Sequence, residues 1–204
     1  MYIHALDINQ SLKNIFMQAV ETTQKVMWTV DPIHSMINFR VKHMMMTTVN
    51  GSFDKFNIEA TTEGEDFLTA DVVFSAETAS INTGNESRDN HLRSEDFFNS
   101  EKYPAITFKP TKFELVDGDG SYTMFGDLTI RDITKNIKLD VEFGGTVKDP
   151  WGNTRAGFTI NGKINRKDWN LNWNVALEAG GILVGEDVKI NGEIQLVRHD
   201  GLHV

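Results

Sequence analysis

Four places along the chain carry side chains that could do chemistry. His43 follows Ile37, Phe39 and Val41 at a spacing of two, so an imidazole ends an apolar strand face, where a polar group is costly unless something bonds it. It reads either as a core histidine hydrogen-bonded to backbone or a neighbouring strand, or as a rim group beside the polar end of a ligand. Arg88, Asp89 and His91 lie close together in a helix-like segment. They could bind a phosphate or carbonyl oxygen, and an ordinary surface ion pair gives the same pattern. His34-Ser35 offers a base beside a hydroxyl. Adjacent strand residues point to opposite faces, however, and no nucleophile-elbow glycines surround Ser35, so serine hydrolysis is not supported. The run Met44-Met45-Met46 could line an adaptable pocket or simply pack a loop.

Other chemistries have less to stand on. The six histidines are scattered, and His199 and His203 stand in the terminal tail, so no metal-ligand spacing emerges. Cys is absent, which removes thiolate catalysis, disulfides and cysteine metal sites together. There is no glycine-rich phosphate loop, and no cofactor is expected. A net charge of −9 with no compensating basic cluster disfavours nucleic acid as a partner. No stretch of about 18 apolar residues suggests stable membrane insertion. Residues 1–25 contain Asp7, Asn9, Gln10, Lys13 and Asn14 and no continuous apolar run, unlike a secretory signal; the expected location is cytoplasmic.

The elements that must position these groups are mostly strands. Only residues 8–20 differ: Ile8, Leu12, Ile15, Phe16 and Ala19 recur at helical spacing, predicting an amphipathic helix in an N-terminal extension over 1–25. Such a helix could pair two subunits, and a homodimer is a corresponding possibility. Residues 26–204 read as a single β domain. From Trp28 the pattern has period two: Leu68, Ala70, Val72 and Phe74 share a face, as do Ile137, Leu139, Val141 and Phe143 opposite Lys138, Asp140 and Glu142. Asp117-Gly118-Asp119-Gly120 reads as a hairpin connection and Asp149-Pro150-Trp151-Gly152-Asn153 as a longer loop. Thr83 with Glu86 has capping-box spacing and opens a short helical insertion around 83–99.

Many antiparallel strands with one apolar face each must close on themselves or pack as two sheets. About eight long runs fit a closed barrel of the size that holds side chains or one small ligand. Gly126, Gly162 and Gly192 fall on inward positions, marking either curvature or interior space. Trp151, Trp169 and Trp173 stand around loops, where they are expected to pack over one end.

With these residues laid out, the chain resembles the YceI-like family of lipocalin-like polyisoprenoid-binding proteins. The resemblance runs from Trp28 to about Val197. It rests on Trp28-Thr29-Val30-Asp31-Pro32-Ile33-His34-Ser35, Phe39-Arg40-Val41-Lys42-His43 and Gly51-Ser52-Phe53, then on Arg88-Asp89-Asn90-His91-Leu92 and Tyr103-Pro104-Ala105-Ile106-Thr107-Phe108, and finally on Arg155-Ala156-Gly157-Phe158 and Ile164-Asn165-Arg166-Lys167-Asp168-Trp169. Asn170 stands where similar sequences often place glycine.

The resemblance implies an all-β fold: an extended antiparallel up-and-down, lipocalin-like barrel of about eight strands. It also implies an apolar interior that takes a long lipid tail of polyisoprenoid, isoprenoid quinone or fatty-acyl type. Strand parity nominates Ile37, Phe39, Val41, Phe74, Phe108, Leu128, Phe158 and Ile160 to face that tail. His43, Arg88, Asp89 and His91 are the candidates for a head group. The expected role is binding, transport or sequestration without catalysis. The rival readings are an enzyme using His43 or His91 as acid or base, and a filled barrel serving as an interaction module.

Overall fold

The computed structural model of the protein describes residues 24–118, 120–177 and 181–199. The N-terminal amphipathic helix expected over 8–20 lies outside the described residues, and so does the dimer contact that rested on it. Among the described residues eleven strands form one antiparallel sheet: β1 (Lys25–Val30), β2 (Met36–His43), β3 (Thr47–Phe53), β4 (Phe56–Glu63), β5 (Asp66–Glu77), β6 (Ile81–Asn82), β7 (Ala105–Leu115), β8 (Ser121–Ile130), β9 (Ile133–Lys148), β10 (Thr154–Asn165) and β11 (Val184–His199). Eight of them close a barrel in the order β1-β4-β5-β7-β8-β9-β10-β11, with β11 pairing back to β1. The remaining three, β2-β3-β6, continue the sheet from β11.

The line of chain beside β11 is a broken one. β11 pairs with β2 from Val184 to Glu193 and with β1 from Leu196 to His199, so β1 and β2 run along it one after the other. Between them Pro32 has no N–H to give a ladder. The Asp31 carboxylate instead accepts from the Ile33 N–H at 3.0 Å, an Asx turn, and Asp31 N donates to Gln195 O at 2.8 Å.

The period-two runs become walls with an apolar inside. Along β9, Leu139 and Val141 are buried while Lys138, Asp140 and Glu142 are exposed. Register shifts interrupt the pattern at Pro110/Lys112, Thr61/Glu63 and Gly157/Phe158. The first is where Pro110, unable to donate, sits in a strand. These shifts swap faces. Phe113, odd-numbered against Phe108, still points inward, and Phe67 faces inward where Leu68 was expected; Leu68 is exposed.

The inward glycines leave room for neighbouring side chains, and Gly192 also borders the open interior. A Cβ at Gly162 would lie 2.3 Å from Cδ2 of Leu139, and one at Gly192 3.2 Å from Cδ1 of Ile37. A neighbouring side chain already occupies each vacancy.

The helical insertion contains one helix, α1 (Glu86–Arg93), between β6 and β7. Its N-cap is Asn85, whose side-chain oxygen accepts from Arg88 N at 2.9 Å, so the Thr83–Glu86 capping box does not form. Arg93 ties the helix end to the barrel by donating to Ala79 O at 2.8 Å and Ile81 O at 2.9 Å. After β10 comes a 3-10 turn, Arg166–Trp169, ended by Asn170 in the left-handed conformation at φ 57°, a backbone state that asparagine tolerates better than most residues. Among the described residues no helix is long and apolar enough to cross a membrane.

Candidate ligand cavity

The inner strand faces enclose a cavity of about 700 Å³, within the range of roughly 300–1,000 Å³ typical of small-molecule sites. Ile37, Phe39, Val41, Phe74, Phe108, Leu128, Phe158 and Ile160 all stand on its wall, drawn together from five strands, β2, β5, β7, β8 and β10, by parity alone. Toward the end where β4 turns into β5, Phe67 meets Trp28, Phe143 and Phe158 at ring-centroid distances of 4.9, 5.4 and 4.9 Å. Trp28 itself is fully buried and donates from Nε1 to Thr62 Oγ1 at 3.0 Å. This aromatic cluster packs that end of the barrel.

The opposite end is polar and is built from the β2–β3 hairpin, α1 and the segment after β10. His43, Arg88 and His91 all line the cavity here. His43 is half-buried at the end of β2, and its imidazole makes no hydrogen bond with any described residue. Arg88 donates from Nε to Thr83 Oγ1 at 2.7 Å and from Nη2 to Thr83 O at 2.9 Å. His91 Nε2 is 2.9 Å from Asp96 Oδ2, and its ring stands edge-on to Trp173 at 4.5 Å and Phe97 at 5.1 Å.

Asp89 is the exception among the head-group candidates. It is buried and does not line the cavity. Its carboxylate accepts from Thr83 N at 3.0 Å and from the Thr83 hydroxyl, which holds the loop entering α1. Arg88 and Asp89 meet instead at one atom, the Thr83 hydroxyl oxygen, which accepts from Arg88 Nε and donates to Asp89.

Several wall residues escaped the strand-parity reading. Trp173 and Phe97 lie in irregular segments, where periodicity says nothing. Arg166 had a signal: it continues the inward series Ile160, Gly162, Ile164. It is 4% exposed and lines the cavity, with Nε donating to Gly185 O at 2.9 Å, Nη2 to Val184 O at 3.2 Å and Nη1 to Leu171 O. Burial pushes its pKa down from the usual guanidinium value, which nearby Glu186 partly counters.

The methionine run and the loop tryptophans resolve differently from one another. Met44, Met45 and Met46 form the exposed β2–β3 turn and line no pocket. Trp169 is buried and donates to Leu128 O at 3.1 Å, whereas Trp151 is 82% exposed and covers nothing. His34 and Ser35 do not meet: His34 Nδ1 faces Asp31 Oδ2 at 2.9 Å, and Ser35 Oγ accepts from Gln195 N at 2.9 Å.

A closed antiparallel barrel with one apolar interior and a polar mouth defines a lipocalin-like protein. Comparison with known proteins narrows this. The family model described as YceI-like domain matches residues 28–196, and the chain belongs to the YceI-like family. It is 39% identical over 169 residues to the UPF0312 protein SAS2572 of Staphylococcus aureus (strain MSSA476), covering 82% of this chain and 95% of that one. The crystal structure of the Campylobacter jejuni YceI protein aligns with a TM-score of 0.67 at 32% identity, over 78% of this chain and 90% of that one. A polyisoprenoid binding domain from Saccharophagus degradans shares the fold, with a TM-score of 0.60 at 15% identity over 84% of this chain and 98% of that one.

Proposed function

We propose that the protein binds a long apolar lipid, of polyisoprenoid, isoprenoid quinone or fatty-acyl type, and serves to carry or sequester it. The tail would lie in the barrel against the eight wall residues above, and the polar end would sit at the mouth beside His43, Arg88 and His91. The observation that carries this reading is the apolar cavity itself. A barrel whose role was purely structural would fill its interior at crystal-like density, whereas this one keeps about 700 Å³ open. The polyisoprenoid binding domain of the same fold gives the ligand class outside support.

Tail burial contributes about 0.8 kcal/mol per methylene-sized group, enough for micromolar affinity after association costs. That affinity discriminates little between tails, so loose specificity among long apolar chains is expected. A catalytic role has weaker support. His43 has no described partner to orient it, and His91, which Asp96 does orient, has no hydrogen-bonded nucleophile among the described residues, so neither completes the base–orienter–nucleophile chain of nucleophilic catalysis.

Native mass spectrometry of the purified full chain, before and after mild organic extraction, tests the reading. A co-purifying lipid, or uptake of an added prenol by the extracted protein, is the expected result. Protein that never holds or takes up a lipid would sink it.

A further inference from the structure

The barrel wall is incomplete between β5 and β7. These strands pair through Phe74–Glu77 and Ala105–Phe108, four residues each, whereas β8 and β9 pair along ten and β10 and β11 along eleven. β1 and β11 also share four pairs, but β2 continues that line. Past Phe108 the chain meets Pro110, which has no N–H to donate, and the register shift against β8 that bends a strand. Among the described residues, 66–73 of β5 and 109–115 of β7 therefore have no strand paired to their edges along this seam. Lys109 Nζ reaches across to Asp71 Oδ1 at 3.8 Å, but both side chains are mostly exposed, and such a pair contributes little. Phe67, Ala70 and Val72 on one lip and Phe113 on the other line the cavity, so the lips are also its wall.

Native sheets blunt a bare edge with proline or lysine, or cover it with a helix or loop. The β7 lip carries Lys109, Pro110 and Lys112. The β5 lip, Phe67-Leu68-Thr69-Ala70-Asp71-Val72-Val73, has one charge and no proline. Leu68 and Val73 are exposed on it, as is Leu115 at the end of β7. The chain itself brings a cover to this place. Lys25 pairs with Glu63, and Gln24 O accepts from Gly64 N at 2.9 Å, so the segment preceding β1 meets the barrel at the turn where the β5 lip starts. Residues 8–20, outside the described residues, carry Ile8, Leu12, Ile15, Phe16 and Ala19 at helical spacing. We propose that they lie along the seam as an amphipathic helix, with that apolar face on Leu68, Val73 and Leu115. The lengths agree. A helix over 8–20 spans about 20 Å, and the lip over 66–73 about 26 Å. Residues 21–23 reach roughly 10 Å, about the two strand spacings that separate β1 from β5.

A photo-crosslinker tests this. Benzoylphenylalanine replaces exposed Leu68 in the full chain, and an equal mixture of heavy-isotope-labelled and unlabelled protein is irradiated. Mass spectrometry is expected to find position 68 joined to residues 8–20, both halves carrying the same label. Should the Leu68 variant not fold, Leu115 takes the probe. The same probe at Asn161, exposed on β10 across the barrel, should not capture residues 8–20. Leu12→Asp with Phe16→Asp should lower the yield at position 68 roughly tenfold or more, since burying an unpaired charge is costly. Gln10→Asp with Asn14→Asp adds the same charge to the opposite helix face and should leave it unchanged. Peptides that join a labelled chain to an unlabelled one mean that a second copy covers the seam, and overturn the proposal. So does capture of no part of 8–20, capture as strong from position 161, or equal yield from the two double variants. The lipid-binding reading stands in each of these cases, because the probe reads contact within the protein and not lipid uptake.

Discussion

The ring of Phe108 occupies the space that a side chain at Gly126 would need. A Cβ there would lie 2.4 Å from Phe108 Cζ and 2.7 Å from the carbonyl oxygen of Lys109. The second contact is with backbone and cannot swing away. At Gly51 the neighbour is only the ring of half-buried Phe39, 2.3 Å from the added atom, and a ring can turn. Gly126→Ala is therefore expected to cost about 1–3 kcal/mol, as overpacking does, and Gly51→Ala less. Urea unfolding of the two variants checks the order; equal losses would show that backbone contact is not what makes Gly126 special.

A second prediction concerns acid. Asp31, on the turn between β1 and β2, is 9% exposed at its side chain, and Asp149, on the β9–β10 loop, 6%. The Arg155 guanidinium joins them, reaching Asp149 Oδ2 from Nε at 2.7 Å and Asp31 Oδ2 from Nη1. The His34 hydrogen bond, then Arg155 and the Ile33 N–H, bring Asp31 down to about 2 against the opposing effect of burial. Burial works hardest against the Asp149 charge, yet Arg155, Asn153 and the Trp151 N–H hold it well below the usual carboxylate range. The unfolded chain takes up these protons near pH 3.9 and the folded one only at lower pH. The clamp therefore stabilises fully above about pH 4 and is lost as pH falls toward 2. Arg155→Met should lower stability at pH 7 and flatten the loss between pH 4 and 2. An acid limb as steep as the parent's would show that other carboxylates govern it.

How much of this was legible beforehand depended on whether a side chain belonged to an uninterrupted strand. The eight tail candidates reached the wall because alternation alone decides which face a strand residue takes. Phe67 and Leu68 came out exchanged because the shift at Thr61/Glu63 leaves no mark in composition. Arg166 continued an inward series visibly, but a turn follows Ile164, and nothing in the spacing says that a charge will be buried among carbonyls. Trp173 and Phe97 arrive from irregular chain that only tertiary packing places. The cap of α1 went to Asn85 instead of Thr83 because Asp89 engages the Thr83 hydroxyl and N–H.

The β2–β3 turn carries local strain. Met44 and Met45 have φ of 52° and 57°, with Met46 N donating to His43 O at 3.1 Å. Two successive positive φ values are the signature of a type I′ turn, which favours Asn-Gly. Each left-handed residue with an ordinary side chain costs about 1–2 kcal/mol. The double variant Met44→Asn, Met45→Gly is expected to gain on the order of 1–2 kcal/mol and raise Tm. Since none of the three methionines lines the cavity, prenol uptake should be unchanged; a fall in uptake would mean that the exposed thioethers take part in loading.

Tail length should be set by the distance from the mouth to the aromatic end. Val41 lines the cavity on β2, near His43, and Ala70 lines it on β5, toward Phe67. Replacing either by Trp puts an indole into open volume, so the fold tolerates it better than the same change in a packed core. The two positions act differently if the chain enters head-last from the polar end. Ala70→Trp shortens the far end, and the protein should then prefer farnesol to geranylgeraniol while short chains bind as before. Val41→Trp narrows the entrance and should weaken every prenol together. Each isoprene unit excluded from the barrel removes several methylene-sized contacts of about 0.8 kcal/mol, so the length preference of Ala70→Trp should change by tenfold or more per unit. Native mass spectrometry with a mixture of prenols reads the preference directly. Identical length profiles for the two variants would show that the tail does not lie along the line from Val41 to Phe67.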